Sequence, residues 1–530
     1  MVLKKLFFLF LILFSYVPVL AQVDTAWVRR YNGPGDLDDR ASALTVNQNG
    51  YVYITGNSGV YPSYDLTTIK YAPNGDTVWV RRYNTSSNSE NRPNAITIDK
   101  NGNLYVAGCS GCDSDSGDYL TIKYSSDGDT LWTRGYAGPG DGDDAATSLA
   151  VDSSGNLYVT GFSWGSGTLY DYATIKYSPF GDTLWVRRYN DPQDGADGGF
   201  ALKMDTSGNV YVAGIKDAFS SSCEYNTIKY DPNGDTLWMR SYGGGTVDTS
   251  DTTIGTQVTS ALEVVDSGYV YVAGYSGSIT SGDYLIIKYN SSGDTLWVRN
   301  YNGPGDGIDK VNAIAVDKNG NVYVTGKSTG AGTFYDYATI KYSPSGDTLW
   351  VRRYDGPANS DDQANAIALD TGGNAYVTGF SVGTGTLYDY ATIKYSPDGA
   401  LLWIQRYNGP GNGFDLASSN FFPSFVLAVD KSGNVFVTGE SRGAASQDFA
   451  TIKYFQCLAK PGDANGDNQI LLSDIVKIIN FLFKSAPAPN PLCRGDANGS
   501  GTVLLSDIVY LVNFLFKSGP VPLKSNECCL

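Results

Sequence analysis

The chain has 530 residues, with 62 Gly, 39 Tyr, no His and a formal charge of −16. Without histidine there is no Ser-His-Asp triad, imidazole base or His-ligated zinc, and so acidic a surface disfavours phosphate backbones, so nucleic acid is not expected as a partner. Glycine near 12% and tyrosine near 7% suit many short strands joined by turns better than long helices.

Lys4 and Lys5 precede an apolar run from Leu6 to Val17, and Val19-Leu20-Ala21 follows with small residues where a signal peptidase reads. Residues 1–21 are expected to be a signal peptide, whose removal takes the charge to −18. No other stretch approaches the ~20 apolar residues of a membrane span, so the mature protein is expected to be secreted or cell-surface associated. Seven cysteines would then meet an oxidising compartment. The odd count leaves at least one thiol outside any bridge. Cys109-x-x-Cys112 has no second pair and no histidine, which points to a local loop disulfide or free thiols rather than a metal or redox site.

Eight of nine tryptophans recur in register, Trp27, Trp79, Trp132, Trp185, Trp238, Trp297, Trp350 and Trp403, at steps of 52, 53, 53, 53, 59, 53 and 53. The phrase IKY keeps step with them. Each unit holds four short strand-like runs, as in "NAIAVD", "NVYVTG", "DYATIKY" and "DTLWVRRY", separated by tight turns, and four-stranded units at this period predict a β-propeller. The repeats open on a lone fourth strand (Asp24 to Tyr31) and end on a third strand (Asp448 to Tyr454), so the first strand can complete the last blade. The expectation is an all-β, eight-bladed, monomeric propeller over residues 22–456. The phrases "DYATIKYSPxGDTLWVRRYNGPGD" and "AIAVDxxGNVYVTG" resemble the bacterial SBBP β-propeller repeat family, which implies this architecture and no defined reaction.

In such blades the A-B and C-D turns share one face, and the longer D-A and B-C loops the other, which makes the long-loop face the candidate binding surface. Aspartates recur at the ends of strand A (Asp99, Asp152, Asp205, Asp317, Asp370, Asp430) and the starts of strand C (Asp118, Asp171, Asp283, Asp336, Asp389, Asp448). Chemistry needs an acid once, so repeated acids read as groups satisfying turn amides. Trp164 stands outside the tryptophan register, in the B-C connection of the third blade, with Tyr170 nearby. The pair suits stacking on a carbohydrate ligand, or local packing.

After Tyr454 a different unit is duplicated at a spacing of 33: "GDANGDNQILLSDIVKIINFLFKS" and "GDANGSGTVLLSDIVYLVNFLFKS". Asp463, Asn465, Asp467 and Asp474 occupy loop positions 1, 3, 5 and 12; Asp496, Asn498, Ser500 and Asp507 do so in the second copy, and the carbonyls of Gln469 and Thr502 stand at position 7. This oxygen pattern predicts two calcium ions. Residues 457–530 resemble a type I dockerin, a small helical module with two calcium loop-helix motifs. The resemblance implies a cohesin-type partner, with Leu472, Ser473, Leu505 and Ser506 at the partner-reading positions. Asn468 replaces the usual Gly at position 6, Ser500 replaces an Asp, and Leu471 and Leu504 replace polar residues.

The expected function is an exported, non-catalytic binding or scaffold protein, tethered through the calcium-binding module to a cohesin-type partner and associated with polysaccharide catabolism. The alternative is a glycoside hydrolase or polysaccharide lyase on the propeller scaffold. Two carboxylates would suffice for such hydrolysis, but the unrepeated acids Glu224, Glu263 and Glu440 fall in different blades.

Overall fold

The computed structural model describes residues 23–60, 63–84, 89–112, 117–218, 223–243, 261–277, 282–417, 426–444, 446–456, 462–465, 470–489, 494–500, 502–520 and 522. The expected signal segment 1–21, the loop residues Asp467 and Gln469, and Cys457, Cys493, Cys528 and Cys529 lie outside these. Cα proximity separates Val23–Gln456 from a second unit that contains the helices of the C-terminal repeat.

The first unit is all β: seven four-stranded antiparallel sheets and one five-stranded sheet. Blade 1 is typical, with strands Asp38–Val46, Val52–Val60, Ser63–Tyr71 and Thr77–Tyr83, here called A to D. Blades 2 to 7 follow at residues 91–136, 144–189, 198–243, 261–301, 309–354 and 362–407. Blade 8 is assembled from both ends of the unit. Its A strand is split into Asp415–Leu416 and Leu427–Val429, strands B and C are Val435–Arg442 and Gln447–Gln456, and its D strand is Val23–Tyr31. The N-terminal strand pairs antiparallel with Gln447–Gln456, Trp27 opposite Lys453 and Tyr31 opposite Phe449. Each A strand lies against the A strand of the next blade, and Leu427–Val429 meets Asp38–Val46, which closes an eight-membered ring. Closure leaves no unpaired blade at either end of the array.

Three recurring side chains explain why the blades stack. The register tryptophan is buried, and its indole Nε1 donates to a carbonyl in the C-D turn of the next blade: Trp132 to Pro179 (3.1 Å), Trp297 to Pro344 (3.1 Å) and Trp350 to Pro397 (3.1 Å). The IKY lysine donates to the same carbonyl, as Lys123 does to Pro179 (2.9 Å) and Lys341 to Pro397 (2.8 Å). The arginine two places after the tryptophan reaches the glycine carbonyl two residues on in that turn, Arg134 to Gly181 and Arg299 to Gly346, both at 2.6 Å. That glycine has φ near +86° at both positions, and a Cβ there would meet the Trp132 or Trp297 ring at 3.0 Å, so the position excludes a side chain twice over. At the ring closure Trp27 and Lys453 both donate to Pro73 of blade 1.

The high tyrosine content has the same origin. Buried strand C tyrosines donate to the next blade's carbonyls: Tyr119 to Ala173 (3.0 Å), Tyr284 to Ala338 (3.0 Å) and Tyr337 to Ala391 (3.0 Å). The A-B pairing carries a feature the hydrophobic pattern does not reveal, a one-residue bulge in blades 1 to 4, 6 and 7. The bulged residue reaches out of its own ladder: Asn94 and Asn312 donate to Ala146 and Ala364 (2.8 Å each), and Thr147 to Gly199 (2.8 Å). The bulge thus converts an interrupted ladder into an inter-blade bond.

In the second unit the helices are α1 (Leu472–Lys484) and α2 (Leu505–Lys517). Ala464, Ile475 and Ile478 from the first repeat and Ala497, Val503 and Leu511 from the second form its buried core. Both helices end on a serine in the left-handed region, Ser485 and Ser518, where the chain turns away.

The seam between blades 7 and 8 departs from the repeat: Gln405 stands in the arginine's place and donates to Val23 (3.2 Å), and the indole bond is missing. Blade 8 has no C-D turn, because its C and D strands come from opposite ends of the unit, and the Trp403 indole N–H is buried without a partner among the described residues. Trp350→Phe should therefore lower the thermal midpoint more than Trp403→Phe, by the equivalent of about 1 kcal/mol. Equal losses, measured by calorimetry on the two variants, would show that the indole bond adds nothing to blade stacking.

Candidate functional site

The repeated acids are bound by the fold itself. In five blades the second arginine of the D strand holds the aspartate that starts strand C: Arg30–Asp448, Arg82–Asp65, Arg188–Asp171, Arg353–Asp336 and Arg406–Asp389, at 2.6 to 2.8 Å. The same guanidinium reaches a strand B serine and the hydroxyl of a tyrosine in the preceding blade, as Arg188 does to Ser163 (2.5 Å) and Tyr136 (3.1 Å). Where Gly135 and Asn300 replace that arginine, burial pushes Asp118 and Asp283 above the usual carboxylate range.

A second family of acids, not among those singled out from the sequence, stands at the start of strand A. Asp39, Asp144, Asp309, Asp362 and Asp415 are buried, and each accepts the amide of a D-A loop glycine six residues earlier at 2.5 to 2.6 Å. The blade 4 equivalent, Asp197, accepts amides from Asp191 (2.5 Å) and Asp217 (3.0 Å). The readable signal is the recurring Gly in "NGPGD" and its fixed distance to this aspartate, a loop clasp with no phosphate-binding context. Burial raises Asp362 to about 6 and Asp197 to about 7, with the charges of Asp191 and Asp217 adding to the latter. Asp336, Asp355 and Asp362 bring carboxylate oxygens within 4.8 Å of one another. Asp336 is already paired to Arg353 and Asp362 to the Gly356 amide, so this trio extends the clasp.

The aspartates that end strand A close the A-B turns. Asp205 accepts the Ser207 and Asn209 amides (3.0 and 2.9 Å), the Asn209 side chain (2.7 Å) and the Tyr211 hydroxyl (2.9 Å). In blade 5 Val265 and Tyr269 replace the Asp and Asn of this clasp, and a cavity of about 630 Å³ opens there, lined by Tyr269, Tyr271, Lys288 and Asp317 among others. It lies on the tight-turn face, opposite the loops expected to bind.

The unrepeated residues are also engaged. Trp164 ends its strand opposite Tyr170, their rings edge to face with centroids 4.8 Å apart. A side chain on Gly140 or Gly142 would collide with the indole, so Trp164 is seated on its own D-A loop as well as partly exposed. Glu224 pairs with Lys216 (3.0 Å), Glu263 with Lys203 (2.9 Å) and Glu440 with Arg40 (3.2 Å). Cys109 and Cys112 form a disulfide, and Cys223 is buried and has no disulfide partner among the described residues.

The second unit assembles its acids differently. In the second loop the amide of Asn498 donates to Asp507 Oδ1 (3.0 Å), the amide of Leu504 to Asp507 Oδ2 (2.8 Å) and the amide of Ser500 to Asp496 Oδ1 (2.9 Å). The first loop repeats this where it is described: Asn465 and Leu471 donate their amides to the two oxygens of Asp474, at 3.0 and 2.8 Å. The aspartate at position 12 therefore caps its helix and gathers the loop in one arrangement. Burial, with the charge of Asp496 adding, pushes Asp507 above its ordinary value despite those amides. Ser473 and Ser506 are exposed and accept from the Asn465 and Asn498 side chains (3.1 and 2.9 Å). Asp463, Asn465 and Asp474, with Asp496, Asn498, Ser500, Thr502 and Asp507, offer oxygen donors alone, a set that suits a hard divalent cation and not zinc. Loop 1 is also met by a cation from the second repeat: Arg494 Nη1 donates to Asp463 Oδ2 at 2.5 Å.

Among known proteins, the family model described as "Beta-propeller repeat" (SBBP) matches residues 78–110, 131–167 and 296–332. An uncharacterized WD repeat-containing protein of Acanthamoeba polyphaga mimivirus is 26% identical over 355 residues, 59% of this chain; the match spans 23% of that protein's length. Among solved structures, Sqt1 of Chaetomium thermophilum, bound to the N-terminus of a ribosomal protein, superposes with a TM-score of 0.50 at 11% identity, covering 82% of this chain and all of that one. An α-L-arabinanase of Penicillium chrysogenum reaches 0.35 at 11% identity, over 57% of this chain and 91% of its own. The first of these structures supports the propeller fold. No helix among the described residues is long and apolar enough to cross a membrane.

The raised value of Asp197 has a measurable consequence. The folded chain keeps a proton there that the unfolded chain releases near pH 4, so this contribution to stability is present at low pH and is lost as pH rises through about 7. Stability of the wild type relative to Asp197→Asn should fall by about 2 kcal/mol between about pH 5 and pH 8. A constant difference in denaturant unfolding across that range would refute the assignment.

Proposed function

We propose that this is an exported, non-catalytic binding protein whose propeller is carried by a calcium-ordered, dockerin-type module at residues 457–530. The observation that carries the reading is the duplicated loop, in which Asp474 and Asp507 make the same two amide contacts and stand with position 1 acids and amide and hydroxyl oxygens. Calcium, bound there, would supply the positive charge that draws these oxygens together; Asp463, Asn465, Asp467, Gln469 and Asp474 would hold one ion and Asp496, Asn498, Ser500, Thr502 and Asp507 the other.

A protein partner is supported by the helix surfaces. Leu472 and Phe483 on α1 are 58% and 65% exposed, and their counterparts Leu505 and Phe516 on α2 are 59% and 64% exposed. Val476 and Val509 join them. Apolar side chains left in water at matching places suit a docking face, and Leu472-Ser473 and Leu505-Ser506 lie within it, where the dockerin resemblance puts partner recognition. The ion pairs of Glu224, Glu263 and Glu440 favour binding over hydrolysis, since a catalytic acid pair would need carboxyl groups facing each other across a substrate. A carbohydrate is the ligand class proposed for the propeller, with Trp164 and Tyr170 the aromatic surface offered to it.

Deuterium exchange on the full chain tests the module. Calcium should slow exchange in Leu472–Lys484 and Leu505–Lys517 relative to chelator, and Asp474→Ala with Asp507→Ala should abolish that protection. Exchange indifferent to calcium in the wild type would overturn the reading. Binding to a panel of cohesin domains should require calcium and weaken at least tenfold, about 1.4 kcal/mol, with Leu472→Asp and Leu505→Asp; full binding by that variant would remove these residues from the partner surface.

A further inference from the structure

We propose that Arg494 is the resident counter-cation of the first loop, holding it folded without calcium and lowering its calcium affinity. The inference rests on the calcium reading above. Asp463, at position 1, is fully buried, and Arg494 beside it is nearly so. A second bond ties the same two segments, the Gly462 amide donating to the Arg494 carbonyl at 2.8 Å. Arg494 belongs to the second repeat, two residues before Asp496, so the ion pair joins the entrance of one loop to the entrance of the other.

The pair is asymmetric, and the sequence shows why. The first loop carries three acids, Asp463, Asp467 and Asp474; the second carries two, Asp496 and Asp507, with Ser500 in the remaining place. The residue two places before the first loop is Pro461, which cannot supply the reciprocal charge. Arg494 thus brings the more acidic loop to the net charge of its twin. A buried carboxylate without a counter-charge strongly destabilises a fold, so the guanidinium matters most when no metal is present. With calcium bound close to the same carboxylate, the two cations repel. Arg494 therefore favours the metal-free folded state over the loaded one, and by linkage it weakens calcium binding at this loop.

Calorimetric calcium titration and deuterium exchange on the full chain separate the cases. Arg494→Met should tighten one of two calcium sites by on the order of tenfold and speed exchange of Leu472–Lys484 in chelator, with wild-type protection restored by saturating calcium. Arg494→Lys, which keeps the charge, should fall between. Unchanged exchange in chelator, or calcium binding weakened in Arg494→Met, would overturn the proposal while leaving the calcium reading intact. A wild-type chain that takes up no calcium would instead overturn the calcium reading.

Discussion

The propeller depends on one acceptor, the C-D turn of each blade. Its carbonyls receive the indole and the lysine of the preceding blade, and its glycine leaves room for the tryptophan ring that packs on it. Two cationic side chains and a large aromatic can converge on so short a turn because the turn exposes carbonyls in a row while its own strands are fully paired. The bond is directional, from one blade to the next, so it specifies stacking order as well as stability. Ring closure places Trp27 and Lys453 on Pro73 and so extends the rule across the chain ends. It fails at Trp403 for a covalent reason, since a blade built from two ends of the unit has no turn to offer.

Repetition also separates structural acids from chemical ones. An aspartate that appears in most blades is neutralised by something else that appears in most blades: an arginine, a glycine amide or an asparagine side chain. Departures are more informative. Val265 and Tyr269 break the turn clasp in blade 5 and a cavity forms there, on the face with tight turns rather than long loops. Burial raises the carboxyls of the strand A aspartates Asp197 and Asp362, which accept amide bonds yet remain in poor contact with water.

The C-terminal unit handles buried charge by the opposite strategy. In the blades most repeated acids meet an arginine, a glycine amide or an asparagine of the repeat; in the two loops the position 12 aspartate accepts two amides from its own loop, one to each oxygen. Arg494 marks the difference between the two copies, because one loop carries an extra negative charge and borrows a positive one from its neighbour.

How much could be read from the amino acids follows the range of the interactions involved. Blade number, strand order and closure by the N-terminal strand were legible because tryptophan, IKY and turn glycines recur at a fixed period, and a strand's own residues largely decide that it is a strand. The two C-terminal helices were legible for the same reason, since each follows its own copy of one short duplicated segment. What only the tertiary structure decided is which groups meet across blades or repeats: the bulged Asn94 on Ala146, Arg188 on Tyr136, Trp164 on the Gly140–Gly142 loop, and Arg494 on Asp463. These contacts join residues far apart in the chain or depend on a one-residue register shift. Local composition carries no record of either.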